Sequence, residues 1–333
     1  MSKRIKDTDY LFLSSYTHVL ETTLLTRERM ERMLEAPTDA DAVRVLMECG
    51  YPELTTVDVD AVNAMLARMR DRVFRDLYAY APDPRMIDVF KLKYDYHNAK
   101  TLLKAEAMGT DPERLLVNVG RYGARELMEK VREKSDVGLS QTFAQAIEEA
   151  RELLGTTQDP QLSDFVLDRA YFREMEDMAR ETGSDFLLGY VQAQVDVANL
   201  KSVVRVLRMK KSPDYLSTVL FEGGAITADS LLKMAQDGGK LESVYEVTPY
   251  AAAAQEGQAA IAGGRLTAFE RSCDNALMDY LAQAKTVAFG EQVLIGYLAA
   301  RESELTAVRI IMTGRLAGLK AELIRERLRE AYV

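Results

Sequence analysis

The sequence predicts an all-α protein made of three helical repeats. Its composition favours helix, because only 8 of the 333 residues are Pro, the residue that most strongly breaks helices. One helical motif occurs three times, at a spacing of about a hundred residues. The alternation of apolar and polar residues that is typical of strands is confined to short segments such as residues 244–247. Such isolated segments are not expected to form a sheet.

The repeated motif consists of an acid, an amide three residues later and a base five residues later. The first and second copies lie 101 residues apart, and the third copy has Ala307 in place of the amide. The acids and bases of the three copies, with the amides of the first two, are Asp95, Asn98, Lys100, Asp196, Asn199, Lys201, Glu304 and Arg309.

Apolar residues nine and five positions before each acid, and four, seven and eight positions after it, follow the 3.6-residue period of an amphipathic helix. A second helical stretch precedes each motif, at residues 65–77, 165–178 and 269–281, and further helices are predicted at residues 16–34, 123–134 and 229–237. Turn residues at 108–112 and 210–213 separate the copies. We therefore expect three helical units, residues 1–110, 111–213 and 214–333.

The acid and the amide of the motif share the apolar face of their helix. At 100° per residue they lie about 60° apart, whereas the base lies about 140° from the acid. A buried carboxylate needs partners, which we expect on a neighbouring helix. We interpret these residues as a polar clamp, a set of buried polar side chains that ties one helix to a neighbour. A catalytic or ion-binding carboxylate is the alternative, although an active site seldom needs three copies in one chain.

Several functional classes are not expected. The net charge of −9 makes nucleic acid an improbable partner. The sequence has no G-x-x-x-x-G-K-[ST] loop and no G-x-G-x-x-G turn after a strand, so nucleotide binding is unsupported. Cys49 and Cys273 are too few for a disulfide framework, and His18 and His97 have no neighbouring ligands. We therefore predict no catalytic residue, no cofactor and no metal.

The hydropathy of the chain predicts that any association with a membrane is peripheral. The basic start, residues 1–6, is not followed by an apolar core, so we expect no signal peptide. No window reaches the roughly 18 uncharged apolar residues that cross a bilayer.

The repeats, together with ESELTAVR at 302–309, GRLAGL at 314–319 and IRERL at 324–328, resemble the family of C subunits from the archaeal and bacterial V/A-type rotary ATPases. The d subunit of the vacuolar ATPase is the eukaryotic counterpart. The resemblance spans nearly the whole chain. The third repeat of this family often carries an Asn where this sequence has Ala307, which places the polar clamp of that repeat in question.

The resemblance implies a funnel-shaped body with three-fold pseudosymmetry. Such a body would lie on the cytoplasmic face of the membrane, rest on the ring of proteolipid subunits (the c-ring) and receive the central shaft, which the D and F subunits form. It would transmit torque without an ATPase site of its own. A cytoplasmic helical-repeat scaffold for another protein partner is the alternative function, and an unrecognised helical enzyme is a third.

Overall fold

The computed structural model describes residues 5–333, so residues 1–4 of the predicted basic start lie outside the description. The described chain contains helices and no strand, which confirms the all-α prediction. Residues 244–247 overlap a short helix. The helices are α1 (Leu11–Glu21), α2 (Arg27–Glu35), α3 (Asp39–Glu48), α4 (Val59–Tyr80), α5 (Arg85–Met108), α6 (Ala124–Glu133), α7 (Gln141–Thr157), α8 (Pro160–Thr182), α9 (Asp185–Arg208), α10 (Pro213–Val219), α11 (Ala228–Gln236), α12 (Glu242–Tyr245), α13 (Ala251–Ile261), α14 (Leu266–Ala282), α15 (Glu291–Leu316) and α16 (Ala321–Arg325).

The three repeated motifs lie on the long helices α5, α9 and α15, and the second predicted stretch of each repeat lies within α4, α8 or α14. The predicted helix over residues 16–34 is wrong, because the chain forms two helices there. The hydroxyls of Thr22 and Thr23 donate to the carbonyls of Val19 and Leu20, and Thr26 caps the N-terminus of α2.

Residues 5–82, 207–210 and 234–333 form one compact unit. Within it, α15 packs against α1, α2, α3, α4, α14 and α16. The core between α15 and the first helices contains Met33, Leu46, Met65 and Ile311, all fully buried. The last long helix of the chain therefore packs on the helices that begin it.

Residues 83–206 and 211–233 form the second compact unit. Here α5 packs against α6, α7 and α8. An aromatic cluster fills this contact: the ring centroid of Tyr96 on α5 lies 4.8 Å from that of Phe143 on α7 and 5.7 Å from that of Tyr171 on α8. In each unit a long helix thus contacts helices of another repeat. The division into residues 1–110, 111–213 and 214–333 stays a prediction.

Candidate functional site

The acid and the amide of the first repeat lie on α5 and hold the loop that precedes α6. Asn98 pairs with both backbone groups of Val117: its Nδ2 donates to the carbonyl at 2.8 Å and its Oδ1 accepts from the N–H at 2.9 Å. Asp95 accepts from the N–H of Tyr122 at 3.3 Å and from Nε of Arg121 at 2.7 Å. Because Asp95 and Asn98 are fully buried, they satisfy loop groups that have little access to water.

The second repeat has the same arrangement on α9. Asn199 pairs with the backbone N–H and carbonyl of Phe221, both at 2.8 Å. Asp196 accepts from the N–H of Ile226 at 2.9 Å and from the N–H of Ala225 at 3.3 Å. The loop held in this way precedes α11, as the loop held by α5 precedes α6.

In the third repeat Glu304 on α15 holds the segment that precedes α2. Its Oε2 accepts from the backbone N–H of Leu25 at 2.6 Å, and its Oε1 accepts from the hydroxyl of Tyr51 at 2.5 Å. Ala307 takes the place of the amide. The segment before Leu25 includes α1, whose backbone groups bond within the helix. Ala307 is 6% exposed and lines a small cavity together with Leu24, Leu25 and the non-helical residues 329–333.

A glycine beside each aspartate allows the loop to approach the long helix. A Cβ atom on Gly120 would lie 2.1 Å from Oδ1 of Asp95, and one on Gly224 would lie 2.3 Å from Oδ1 of Asp196. Real Cβ atoms do not come so close to an oxygen. The two loops thus depend on glycine at equivalent positions because of close approach.

Arg121 joins Asp95 to a second buried acid, Glu174 on α8. Its Nε donates to Asp95 and its Nη1 donates to Glu174 at 2.9 Å. Glu174 also accepts from the hydroxyls of Tyr96, at 2.8 Å, and Ser140, at 2.5 Å. Ser140 is the N-cap of α7. This cluster therefore links α5, the loop before α6, the start of α7 and α8.

Burial shifts the pKa values in this cluster. It raises the pKa of Asp95 to about 6, an effect that outweighs the opposing hydrogen bond and charge of Arg121. Burial alone would lower the pKa of Arg121, but the charges of Glu174 and Asp95 raise it above its ordinary value. Burial, followed by the charge of Glu174, raises the pKa of Tyr96. Arg121 therefore stays charged, while Asp95 titrates near pH 6.

The third cluster contains a cation from the long helix itself. Arg301 pairs with Glu304 and donates from Nη2 to the hydroxyls of Thr23 and Tyr297, both at 3.1 Å. Both members of the ion pair are nearly fully buried. Burial, then the charge of Glu304, raises the pKa of Tyr51 well above its usual range. Tyr51 is therefore a hydrogen-bond donor to the carboxylate throughout the physiological pH range.

The three bases of the motif lie away from these clusters. Nζ of Lys100 pairs with Asp168 on α8 at 2.6 Å. Lys201 is half-buried on α9. Arg309 is exposed, and its guanidinium has no hydrogen-bond or ion-pair partner among residues 5–333. The structure thus brings together each acid and its loop, and it places the bases elsewhere.

The remaining titratable candidates are dispersed. His18 is half-exposed and its Nδ1 lies 2.7 Å from Glu21, while His97 is exposed and its Nε2 lies 3.3 Å from the carbonyl of Leu115. Cys49 and Cys273 are free, buried thiols. Over residues 5–333, no group of three or more His, Cys, Asp or Glu side chains is placed to hold a metal ion.

Sequence reasoning missed the partners of the acids. Arg121 and Glu174 belong to no repeated motif, and Gly120 and Gly224 stand at different distances from their aspartates along the chain. The signal that could have found the loops is a glycine 25 residues after Asp95 and another 28 residues after Asp196. The sequence predicts partners on neighbouring helices, whereas most of the partners are backbone amides of loops.

No helix in the described part of the chain is long and apolar enough to span a bilayer. Comparison with known proteins finds the family described as ATP synthase (C/AC39) subunit over residues 13–327. The C subunit of the V-type sodium ATPase of Enterococcus hirae is 25% identical over 94% of this chain and 95% of its own length. The C subunit of the A-type ATP synthase of Methanocaldococcus jannaschii is 24% identical over 96% and 86%, and that of the V-type ATP synthase of Thermus thermophilus is 22% identical over 96% and 98%. The family resemblance drawn from the sequence is thereby confirmed.

Proposed function

This chain belongs to the ATP synthase (C/AC39) subunit family and is a subunit of a V/A-type rotary ATPase complex, and on that premise we propose that it is the central-stalk coupling subunit. In this role it links the shaft, formed by the D and F subunits, to the membrane proteolipid ring. It transmits torque for ATP-coupled transport of protons or sodium and has no active site of its own. It lies at the cytoplasmic face of the membrane as a peripheral subunit.

The extent of the family match is the observation that carries this proposal. It covers residues 13–327, and the relatives align over nearly their whole lengths. The similarity therefore extends over both compact units of the chain and is not limited to one module. We therefore assign one role, that of a stalk subunit, to the whole matched region and not to one part of it.

The clusters around Asp95, Asp196 and Glu304 support the mechanical part of the proposal. A subunit under torque must resist deformation, and loops are the most compliant parts of a helical protein. Here each long helix holds a loop through buried hydrogen bonds. We propose that these side chains are structural clamps that stiffen the loops and do not take part in catalysis, since close-packed interiors transmit strain.

Deletion of the chain from its host tests the proposal. ATP hydrolysis by the detached catalytic head should persist, while ATP-driven ion movement into membrane vesicles should be lost and should return when the chain is supplied again. The control is the same measurement with a vector that lacks the coding sequence. Ion movement that survives the deletion would contradict the proposed function.

Purification of the tagged chain from native membranes in mild detergent provides a second test. We expect both shaft and ring subunits to accompany it. A chain that is recovered only with soluble proteins from outside the ATPase would instead indicate a cytoplasmic scaffold.

A further inference from the structure

Helix α1 presents an apolar surface to solvent, which we call the α1 patch. It consists of Leu11, Phe12, Tyr16 and Val19 on α1 and Tyr80 at the end of α4. Leu11, Phe12, Val19 and Tyr80 are between 49% and 65% exposed. The rings form one continuous surface, because the centroid of Phe12 lies 5.1 Å from that of Tyr80 and 6.4 Å from that of Tyr16.

Helix α1 carries apolar residues on both faces: Leu13 is buried against the protein, whereas Phe12 and Val19 are exposed. The face that packs against the protein combines Leu13 with Ser14 and Thr17, all at most 2% exposed, and Oγ1 of Thr17 has no hydrogen-bond partner among the described residues. The opposite face carries Phe12 and Val19. A helix normally buries its apolar face and turns its polar face to water. The outer face of α1 is therefore suited to contact with another apolar surface.

The spacing within the patch matches a helical partner. Phe12, Tyr16 and Val19 stand at positions i, i+4 and i+7, so their side chains form one stripe along α1. Stripes of this spacing dock against the apolar face of another helix. Tyrosine and phenylalanine are also among the residue types that are enriched at protein interfaces.

A second copy of the chain fits the patch poorly. The exposed apolar surface amounts to about 400 Å². A stable dimer buries about 800 Å² on each partner. The patch is large enough to be the centre of a contact with one helix and too small to hold two copies together by itself.

A lipid surface also fits poorly. Helices that lie on membranes carry Lys and Arg on their polar face. The sequence contains no Lys or Arg from Asp7 to Thr26, a stretch that includes all of α1. The polar face of α1 therefore carries none of the cations that would favour anionic lipid.

We propose that the α1 patch is the docking site for an amphipathic helix of another subunit of the same ATPase complex. This inference rests on the proposed function, because that function supplies the complex in which the partner is found.

Lysine substitution in the assembled complex tests the proposal. The complex is purified through a tag on a subunit of the catalytic head, from cells whose only copy of this chain is wild type, V19K, F12K/V19K or V247K. Val247 is the matched control, since it is a valine of the same compact unit that is 96% exposed and lies outside the patch. We expect the retained chain to decrease about tenfold for V19K and further for F12K/V19K, and to stay unchanged for V247K.

Circular dichroism and the thermal midpoint of each isolated variant establish that folding is intact, which we expect because the replaced side chains point to solvent. A photo-crosslinking residue at position 19 should join the chain to another subunit, and the same residue at position 247 should not. Equal retention of V19K and wild type would overturn the proposal while leaving the proposed function intact. A wild-type chain that is absent from the complex would overturn both.

Two further measurements on the isolated full chain test whether a second copy of the chain or a lipid bilayer binds the α1 patch instead. Sedimentation that shows a wild-type dimer abolished by V19K would overturn the proposal in favour of a second copy. Flotation of wild type, but not V19K, with phosphatidylglycerol vesicles would overturn it in favour of a bilayer. We expect a monomer and no flotation.

Discussion

The carboxylate of Glu304 on the last long helix accepts a hydrogen bond of 2.6 Å from the backbone N–H of Leu25, 279 residues earlier in the chain. The corresponding acids of the other two repeats bond to loops that follow them within about 30 residues. The third repeat therefore performs by a long-range contact what the first two perform locally. This hydrogen bond therefore joins α15 to the segment between α1 and α2.

Replacing Glu304 with glutamine should strongly destabilise the compact unit that contains it. The amide has nearly the same shape, but it leaves the buried guanidinium of Arg301 without its counter-charge, at a cost of about 3 kcal/mol. Urea denaturation followed by circular dichroism measures the change. E53Q, which alters an exposed glutamate, is the control. A midpoint for E304Q equal to that of E53Q would contradict the importance of this ion pair.

Alanine at either loop glycine should be destabilising. In G120A and G224A the new methyl group would overlap the carboxylate of Asp95 or Asp196, and these carboxylates are held by hydrogen bonds. We expect a loss of about 2 kcal/mol in the free energy of unfolding for each. Gly155 is the matched control, because it lies in α7 with nothing within 4 Å of its added Cβ. G155A should stabilise the chain by about 0.5 to 1 kcal/mol. The same sign of change at all three positions would contradict this account.

The amides of the clamp should matter only where a loop peptide needs a partner. N199A leaves the buried N–H and carbonyl of Phe221 unpaired and should cost about 2 kcal/mol. The reciprocal change, A307N, adds a polar group at a position that is 6% exposed and that lies beside Leu24, Leu25 and Met30. We expect A307N to destabilise the chain by about 1 kcal/mol instead of restoring a missing clamp. Thermal denaturation of the two variants checks both results, and a gain in stability for A307N would contradict the interpretation.

The stability contributed by Asp95 should depend on pH. Its pKa in the folded chain, about 6, lies above its ordinary value of 3.8, so between these values the folded chain binds a proton that the unfolded chain lacks. The free energy of unfolding contributed by Asp95 therefore increases as the pH is lowered from 7.5 to 5, by about 1 kcal/mol. D95N, which cannot ionise at this position, is the reference. We expect the free energy of unfolding of wild type, measured by urea denaturation, to increase relative to that of D95N when the pH is lowered from 7.5 to 5. A difference that is constant or moves the other way would refute the assigned titration.

The sequence predicted the long helices well because their information is local. The apolar positions around Asp95 and Asp196 recur with the helical period, and that period also placed Asn98 and Asn199 on the buried face. The helical period wrongly predicted one helix over residues 16–34, where Thr22, Thr23 and Thr26 interrupt an otherwise continuous helical pattern. Those hydroxyls compete with the helix for backbone partners, and their effect depends on where the chain must turn.

The base of each motif shows why repetition alone is an uncertain guide to a site. Lys100, Lys201 and Arg309 recur with the acids in sequence, yet Lys100 pairs with α8 and Arg309 is exposed. The cation beside Asp95 is Arg121, which no repeat marks. Partners are chosen by proximity in three dimensions, and residues that lie far apart around a helix point in different directions.

The sequence by itself determined that this chain is helical and repeated, that its acids and amides occupy the buried face of long helices, and that it belongs to a family of ATPase subunits. Only the tertiary structure decided which loop each acid holds, that Glu304 reaches back to Leu25, and that α1 turns its aromatic face outward. The physical reason is that helical periodicity depends on residues three and four positions apart, whereas the partners of a buried carboxylate are set by how distant segments pack.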